Sequence, residues 1–529
     1  MKTYTLKNTK PTINAEAQKY LDQSFAQEMG LPTLILMEQA AMAISHLIMQ
    51  IDPKQEKSIL FLVGKGNNGG DAFASARQLL AKNYSVQVLE IFQQKNFAND
   101  AAKNKSAYES MNGKIFQNMD LLKFDFSAYD IIVDGIMGTG FTLERPLSEE
   151  IKKALDKVNC LKNMIKIAID TPTGIETKSG ACDEVVFKAD YTVTFSAYKT
   201  AMYADPASAY CGHIILDDIG MPEAWIENKL MDFQKNQFEL PRVIDKKTIR
   251  YLEIKKDSLS HKGKAGKTLI IGGSIGMNGA IHLALKAAHT TGVGYAYCRS
   301  PKELVSSLLL ASPQSLIDVL PKSKQKWLDL INKMDSIAIG PGADQAEWLD
   351  DSLELFLEYS KQLIIDADGL NYLAKIENWQ DLTKQRYNKG LVPIILTPHP
   401  GEFKRLAPNL INILSQDRQK AASLLAQSSG TIIILKGHRT VIAFPNGEIY
   451  LNSSGNQGLA KAGSGDVLTG LLAGFTAQKQ NIFESSVLAV YFHGLLADCA
   501  KEEIGMRAMQ PSDLLRFSKR AYLLLNWQD

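Results

Sequence analysis

Apolar and polar positions along this chain fall into two long blocks of the same kind, separated by a stretch that follows neither a helical nor a strand period. In the first block "ILFLV" (59–63) is apolar without a break. That is how a strand buried on both faces reads. Ala72, Ala76 and Leu79 then recur at helical spacing, and the glycine-rich "GKGNNGGD" (64–71) joins the two. "YSVQVLEIF" (84–92), "YDIIVDGIMGTG" (129–140) and "MIKIAIDTPTG" (164–174) are further apolar strands running into polar or glycine-rich loops. Residues 222–260 turn charged and irregular, with Pro222 and Pro241. The pattern restarts in "GKTLIIGGSIGMNGAIHLALKAAHTTGVGYAYC" (266–298), "SIAIGPGAD" (336–344), "QLIIDADGLN" (362–371), "VPIILTPHPGEF" (392–403) and "TIIILKGHRTVIA" (431–443). Strands alternating with helices predict two α/β domains on parallel sheets, 1–235 and 236–529. Ligands of such sheets bind outside the carboxyl ends of strands, and the unusual polar and glycine residues sit at those ends.

A chain of 529 residues has room for two large cores. Lys plus Arg number 59 and Asp plus Glu 57, so the net charge of +2 argues against nucleic-acid or membrane-surface binding driven by overall charge. Five scattered cysteines with no C-x-x-C pair predict buried, reduced thiols and no zinc site. The N-terminus has no apolar signal region, and no unbroken apolar run reaches the ~18 residues of a membrane span. A cytoplasmic homo-oligomer without membrane or nucleic-acid partners is expected. The Met-rich "LILMEQAAMAISHLIMQ" (34–50) reads as a core helix, with His46 a bystander.

Asp71, Asp134 and Asp170 each stand beside the end of an apolar strand, so they converge on one sheet edge. A carboxylate in apolar surroundings needs hydrogen bonds or a cation. Asp134, the Asn68 amide oxygen and Thr173 are hard oxygen donors. "LPTLILMEQAA", "GKGNNGGDAFASAR", "VDGIMGTGF" and "IDTPTGI" together resemble the YjeF N-terminal family of NAD(P)H-hydrate epimerases across most of residues 10–225. The resemblance implies a Rossmann-like three-layer sandwich. It implies that Asn67, Asn68, Gly69, Gly70 and Asp71, with Gly138, Thr139, Gly140, Phe141, Thr142, Leu143 and Glu144, hold the hydrated dinucleotide. It also implies Asp170 as the acid/base in contact with substrate and potassium at Asn68, Asp134 and Thr173. Lys65 departs from the family pattern, as a phosphate contact or a solvated loop lysine; Ala72 stands where glycine is common.

In "GNQGLAKAGSGDVLTGLLAG" (455–474), Gly463 and Gly465 let the chain turn so that successive N–H groups point at one spot. The helix behind adds about half a positive charge at its N-terminus. That makes an anion hole for a phosphate whose charge is shifting, and Asp466 is placed to accept a proton from a hydroxyl attacking it. The loop resembles that of the ribokinase-like superfamily. With "HKGKAGKTLIIGGSIGMNGAIHLALKAA", "GPG", "DADGLN", "TPHPGEF" and "LKGHRT", residues 255–520 resemble the NAD(P)H-hydrate dehydratases. The resemblance implies a ribokinase-like three-layer α/β/α domain that transfers a nucleotide phosphate to the C6 hydroxyl of the hydrated nicotinamide and then eliminates phosphate. Gly342, His399, Pro400, Gly401, Glu402, Phe403, Lys404, Arg405 and Asp466 would meet the hydrate, with Asp466 as base. Lys436, Gly437, His438, Arg439 and Thr440, with Asn456, Gln457, Gly458, Leu459, Ala460, Lys461, Ala462, Gly463, Ser464 and Gly465, would meet the adenine nucleotide. His438, Arg439, Gln457 and Lys461 depart from the usual pattern. Asp366 and Asp368 read either as caps of the following helix or as positioning Mg²⁺–phosphate. "KGKAGKT" (262–268) fails as a P-loop because its glycines precede the strand, though its lysines could still face phosphates. The expected function is repair of hydrated NADH or NADPH by epimerisation and ADP- or ATP-driven dehydration, with ADP favoured and K⁺ and Mg²⁺ required. The alternative is a ribokinase-like small-molecule kinase with a non-catalytic N-terminal interaction module.

Overall fold

The structure, a computed structural model, describes residues 6, 8–92, 97, 99–234, 240–255, 261–344, 346–478 and 481–527. The chain forms two compact units, residues 11–240 and residues 1–10 with 241–529. The boundary expected at 235 lies outside the described residues. Of the first ten residues, those described are held by the second unit. The Leu6 amide donates to the Tyr450 hydroxyl at 3.1 Å, and Arg242 donates to the Thr9 carbonyl at 2.7 Å.

In the N-terminal unit α1 (Ala15–Met29) and α2 (Thr33–Ile51) precede β1 (Ser58–Val63), α3 (Asn67–Leu80), β2 (Ser85–Glu90), α4 (Asn99–Ser110), β3 (Lys114–Phe116), β4 (Ile131–Gly135), α5 (Glu149–Cys160), β5 (Ile165–Ile169), β6 (Tyr191–Phe195), β7 (His213–Asp217) and α6 (Glu223–Gln234). The strands form one parallel sheet in the order β3-β2-β1-β4-β5-β6-β7. Alternation sends Ile59, Phe61, Val133 and Ile167 to a core under α1, α2, α3 and α6, and Leu60, Leu62, Ile132 and Ala168 to one under α5. The strand order reverses between β1 and β4, where a doubly wound sheet opens a crevice. Gly64 lies at that point: a Cβ there would fall 1.8 Å from the Ile136 carbonyl oxygen, so only glycine lets the two loops approach.

The C-terminal unit contains β8 (Arg242–Ile244), β9 (Lys267–Ile271), α7 (Asn278–Thr290), β10 (Tyr295–Ser300), β11 (Leu316–Val319), α8 (Lys324–Ile331), β12 (Ser336–Ile339), α9 (Glu347–Tyr359), β13 (Leu363–Ile365), α10 (Asp368–Leu373), β14 (Ile395–Leu396), α11 (Pro400–Leu406), β15 (Ile432–Leu435), β16 (Val441–Ala443), β17 (Ile449–Asn452), α12 (Ser464–Ala477) and α13 (Ile482–Ala508). Seven strands repeat the first unit's topology, β11-β10-β9-β12-β13-β14-β15, all parallel. The sheet then continues through β16 and β17, which pair antiparallel, with β8 parallel to β17. That extension corrects the expectation of a purely parallel sheet. Its sequence signal is the short connection from Leu435 to Val441, too short for a crossover helix. Ile270, Ala338, Ile364, Ile395 and Ile432 face the core shared with α7, α12 and α13. The alternate residues turn to the other face, the side on which Trp327 of α8 and Phe356 of α9 meet edge to face at 5.2 Å.

α2 and α13 match a membrane span in length and apolarity, but Leu36, Ala40, Ile44 and Ile48 of α2 and most of α13 are buried in the cores. His46 is exposed, as expected of a bystander. None of the five cysteines is in a disulfide; Cys211, Cys298 and Cys499 are buried, Cys182 is half-buried, and Cys160 is exposed, against the expectation for the set. Cys160 closes an amphipathic helix, where the last turn faces out.

Candidate active sites

The first site lies where the N-terminal strands end. A cavity of about 510 Å³ is lined by α1, α2 and the loops after β1, β4 and β5, and Asp22, Asn68, Asp71, Thr139 and Asp170 face it. Asp170 follows β5 with φ +63°, a left-handed conformation uncommon outside glycine. Such strain persists only where the surroundings enforce it. Here the Asp170 amide donates to the Val193 carbonyl at 2.7 Å, and its carboxylate accepts from Thr194 at 3.1 Å and pairs with Lys199 at 2.7 Å. Lys199 is fully buried and also donates to the Gln18 side-chain oxygen at 2.9 Å and the Phe195 carbonyl at 2.9 Å. Four carboxylates thus crowd one edge. Burial pushes Asp71 well above the ordinary carboxylate range, reinforced by the charges of Asp170 and Asp22. Burial likewise raises Asp22 and Asp134, each to about 6.

Asp134 is closed from solvent. It accepts from the Thr173 amide and hydroxyl, both at 2.8 Å, and from the Ile136 amide at 3.1 Å. The Thr173 hydroxyl also accepts from the Met137 amide at 3.2 Å. In its satisfied orientation the Asn68 amide oxygen accepts from the Gly138 amide and its nitrogen donates to the Ile169 carbonyl. One buried carboxylate with amide and hydroxyl oxygens suits a hard cation with oxygen coordination.

Asn67, Asn68, Asp71, Thr139, Gly140 and Asp170 line the cavity together. Gly69 and Gly70 lie behind it, Gly70 against Met37. Gly138 has φ +57° and backs onto Asn68. Phe141 is buried in the core with Leu62 and Ile136 and does not line the cavity. Thr142, Leu143 and Glu144 are exposed. Lys65 is exposed, its ammonium 5.9 Å from the Phe92 ring.

The second site gathers at the ends of β12 to β15 and the start of α12. Ala367 has φ +49°, a strained turn between β13 and α10. It leaves Asp366 almost fully buried, pairing with Lys436 at 2.7 Å and accepting from Thr469 at 2.5 Å. Burial alone would raise Asp366, but the Lys436 ammonium and these hydrogen bonds outweigh it and hold it below the ordinary range. Neither aspartate caps α10, whose cap is Ala367. Asp368 accepts from the Asp344 amide at 2.8 Å.

Gly463 caps α12 with φ +98°, so Ser464, Gly465 and Asp466 form its first turn. A side chain at Gly465 would lie 3.5 Å from the Lys436 ammonium nitrogen, which places that turn against the Lys436–Asp366 pair. Asp466 therefore stands inside the helix and does not cap it. Burial, with the charges of Asp366 and Asp368, raises it to about 7, opposed by Lys436. α13 braces the loop at both ends. The Asp498 carboxylate accepts from the Gly455 amide at 2.8 Å and the Asn456 side chain at 2.9 Å. Lys461 donates to the Arg507 carbonyl at 2.8 Å, beyond the non-helical break at Gly505.

Of the remaining expected residues, His399 caps α11, its Nδ1 accepting from the Gly401 amide at 3.0 Å, while Glu402 returns a bond to the His399 amide at 2.8 Å. Pro400 opens that helix, Phe403 is buried core, Lys404 is exposed, and Arg405 donates to Asn371 at 2.8 Å. Gly342, with φ +60°, packs against Met277. Arg439 donates to the Ser453 carbonyl at 2.9 Å, and Gly437 and His438 are exposed beside Thr440. Gln457, Gly458 and Leu459 form a short 3-10 turn leading through Ala460 and Ala462 to Gly463. The lysines of "KGKAGKT" do not reach this edge: Lys267 begins β9, so they lie at the amino end of the sheet. Among the described residues, no group of three His, Cys, Asp or Glu is placed to hold a metal. Mg²⁺ here would rely on phosphate oxygens and water.

Sequence reasoning missed Gln18, Asp22, Lys199 and Thr469. A lone lysine in the apolar run "YTVTFSAYKTAMY" was the available signal for Lys199. The other three are ordinary helix residues until the fold places them.

A family model described as NAD(P)H-hydrate dehydratase matches residues 268–520, and one described as YjeF-related protein N-terminus matches 33–201. A bifunctional NAD(P)H-hydrate repair enzyme of Moorella thermoacetica is 31% identical, covering 98% of this chain and 97% of its own. One from Escherichia coli is 30% identical, covering 94% and 91%. A solved ADP/ATP-dependent NAD(P)H-hydrate dehydratase from Bacillus subtilis, co-crystallised with ATP and Mg²⁺, is 31% identical over 53% of this chain and 97% of its own, with a TM-score of 0.47. The likeness to whole bifunctional relatives runs through both halves, which disfavours a kinase with a non-catalytic appendage.

Proposed function

We propose that the two sites carry the two reactions of the family to which this chain belongs, that of the bifunctional NAD(P)H-hydrate repair enzymes. The N-terminal cavity interconverts the R and S forms of hydrated NADH or NADPH, and the C-terminal site dehydrates the S form at the expense of ADP. Asp466 carries this reading: a carboxylate one turn into a glycine-opened helix, raised to about 7 and beside a buried ammonium.

In the C-terminal site the C6 hydroxyl attacks the terminal phosphorus of the nucleotide while Asp466 takes its proton. The P–O bond to the nucleotide breaks, releasing AMP when ADP is used. Amides at the start of α12 receive the developing negative charge, which preorganised donors stabilise without rearranging. Lys436 faces the same turn and supplies a positive charge without giving up its bond to Asp366. Loss of phosphate from C6, with a proton from the neighbouring carbon, then restores the dihydronicotinamide. The hydrate contacts are Gly342, the 399–405 segment and Asp466; the nucleotide contacts are 436–440 and 456–465. Mg²⁺ would arrive with the phosphates. In the N-terminal cavity Asp170, paired with Lys199, is the acid/base; residues 67–71 and 138–144 position the dinucleotide. Asn68, Asp134 and Thr173 would hold potassium, neutralising the buried Asp134 and fixing the 138–140 turn. We place the reaction in the cytoplasm.

The test supplies the purified chain with acid-aged NADH, containing both epimers, plus ADP or ATP, and follows the reduced-nicotinamide absorbance. Full recovery of both epimers is expected with ADP. No recovery with either nucleotide would overturn the proposal.

A further inference from the structure

This inference rests on reading the N-terminal cavity as the epimerase site. Inverting the hydroxylated C6 beside the ring nitrogen requires its C–O bond to break on one face and re-form on the other. The nitrogen lone pair can hold the cation between, as a C6=N1 iminium. One group must protonate the departing hydroxyl, and another must take a proton from the water entering opposite. Asp170 is one such group.

Among the described residues, the ionisable groups facing the cavity are Lys19 and Asp22 on α1, Asp71 on α3, Asp100 on α4 and Asp170 after β5, with Lys199 behind Asp170. α2 presents Thr33, Leu36, Met37 and Ala40, none ionisable. Lys199 is sealed and already has four oxygens within hydrogen-bond distance. Asp100 is tied to Thr33 at 2.6 Å and Lys103 at 2.9 Å. Lys19 is an exposed ammonium. Asp22 differs from all of these. One carboxylate oxygen accepts from Gln18 Nε2 at 2.8 Å, and the other has no hydrogen-bond partner among the described residues. Gln18 Oε1 accepts from Lys199 at 2.9 Å, and Lys199 pairs with Asp170 at 2.7 Å. A continuous chain, Asp22–Gln18–Lys199–Asp170, therefore joins two cavity-facing carboxylates.

We propose that Asp22 is the second acid–base group of this cavity, working opposite Asp170 and held in register with it by Gln18 and Lys199. In one direction protonated Asp22 gives its proton to the hydroxyl, which leaves as water, and ionised Asp170 takes a proton from the water that adds to the other face. The substrate loses and regains one hydroxyl, and the proton count of the pair is unchanged. The reverse direction uses the opposite protonation, so exchange follows the singly protonated pair. The upward shift of Asp22 to about 6 by burial lets it keep a proton where an ordinary aspartate would not.

The test uses the full chain without ADP and separates the R and S hydrates of NADH by chromatography over time, from pH 5 to 8. Asp22→Asn is expected to cut kcat for exchange at least ~100-fold, the loss of one general acid–base group. KM should stay within about threefold on the same ground, the amide keeping the shape of the side chain. The bell-shaped pH profile should lose one limb, and Asp22→Glu should recover part of the rate. Exchange in Asp22→Asn close to that of the wild type would overturn the proposal. A slow Asp71→Asn beside a fast Asp22→Asn would overturn it too, moving the role to Asp71. A slow Asp22→Asn with a collapsed unfolding transition and no rescue by glutamate would reduce Asp22 to a structural part and equally overturn it. Asp170→Asn separates the two levels: unchanged exchange there removes the epimerase reading itself, whereas lost exchange there with intact Asp22→Asn removes this inference alone.

Discussion

The two sites use the same parts on the same strand order and balance them differently. Each has an acid at a strand end beside a strained left-handed residue, Asp170 itself in one and Asp366 before Ala367 in the other. Each pairs that acid with a lysine at 2.7 Å. In the N-terminal unit two further cavity acids, Asp22 and Asp71, have no ion pair among the described residues, and burial raises both. In the C-terminal unit Asp466 stands in the first turn of a helix that a glycine opens. A crowd of acids around one buried ammonium suits moving protons. One acid beside an ammonium and a helix N-terminus suits moving a phosphoryl group.

Removing the odd acid of the C-terminal site should have the largest effect. Asp466→Asn is expected to lower the dehydration rate by ~10²–10⁴, about 3–5 kcal/mol of barrier, while C-terminal unfolding shifts by under about 1 kcal/mol. A near-normal rate in the absorbance assay would break the contrast. Removing the shared part tests the likeness. Lys199→Met leaves a buried carboxylate unpaired and should destabilise the N-terminal unit by about 3–5 kcal/mol in chemical denaturation. Lys436→Met should cost about as much, about 3–5 kcal/mol, because the carboxylate it leaves unpaired, Asp366, is only 2% exposed.

pH separates the sites further. Asp466 must be ionised to act, so dehydration should rise with pH through about 7. Its folded value lies above the unfolded one. It therefore contributes stability that is present below the ordinary carboxylate range and lost as pH rises through about 7. C-terminal stability should fall over the interval in which its activity grows, and Asp466→Asn should flatten both curves. The smallest effect is ionic. Potassium tenfold above its Kd should stabilise the N-terminal unit by about 1.4 kcal/mol at pH 8. The gain should shrink below about pH 6, where Asp134 takes a proton, and vanish in Asp134→Asn. A gain equal at pH 5 and pH 8 would move the ion elsewhere.

Much of this was legible in the residues alone. Uninterrupted apolar runs such as Ile59–Val63 and Ile432–Leu435 marked buried strands, and the strand-end carboxylates marked both edges. His399 was ambiguous because a histidine before proline caps and binds with the same atoms; the structure assigns Nδ1 to the cap and leaves Nε2 3.4 Å from Glu402. Asp366 was ambiguous because its partners, Lys436 and Thr469, lie 70 and 103 residues away.

By itself the sequence determined the two α/β blocks, the glycine turns and the acid behind each, because burial periodicity and backbone freedom are local properties. Only the tertiary structure decided which acids keep their protons. Proton affinity depends on desolvation and on charges within a few ångströms, and here those charges come from helices and strands far apart in the chain. Lys199 reaches Asp170 across 29 residues, and Gln18 reaches Lys199 across 181.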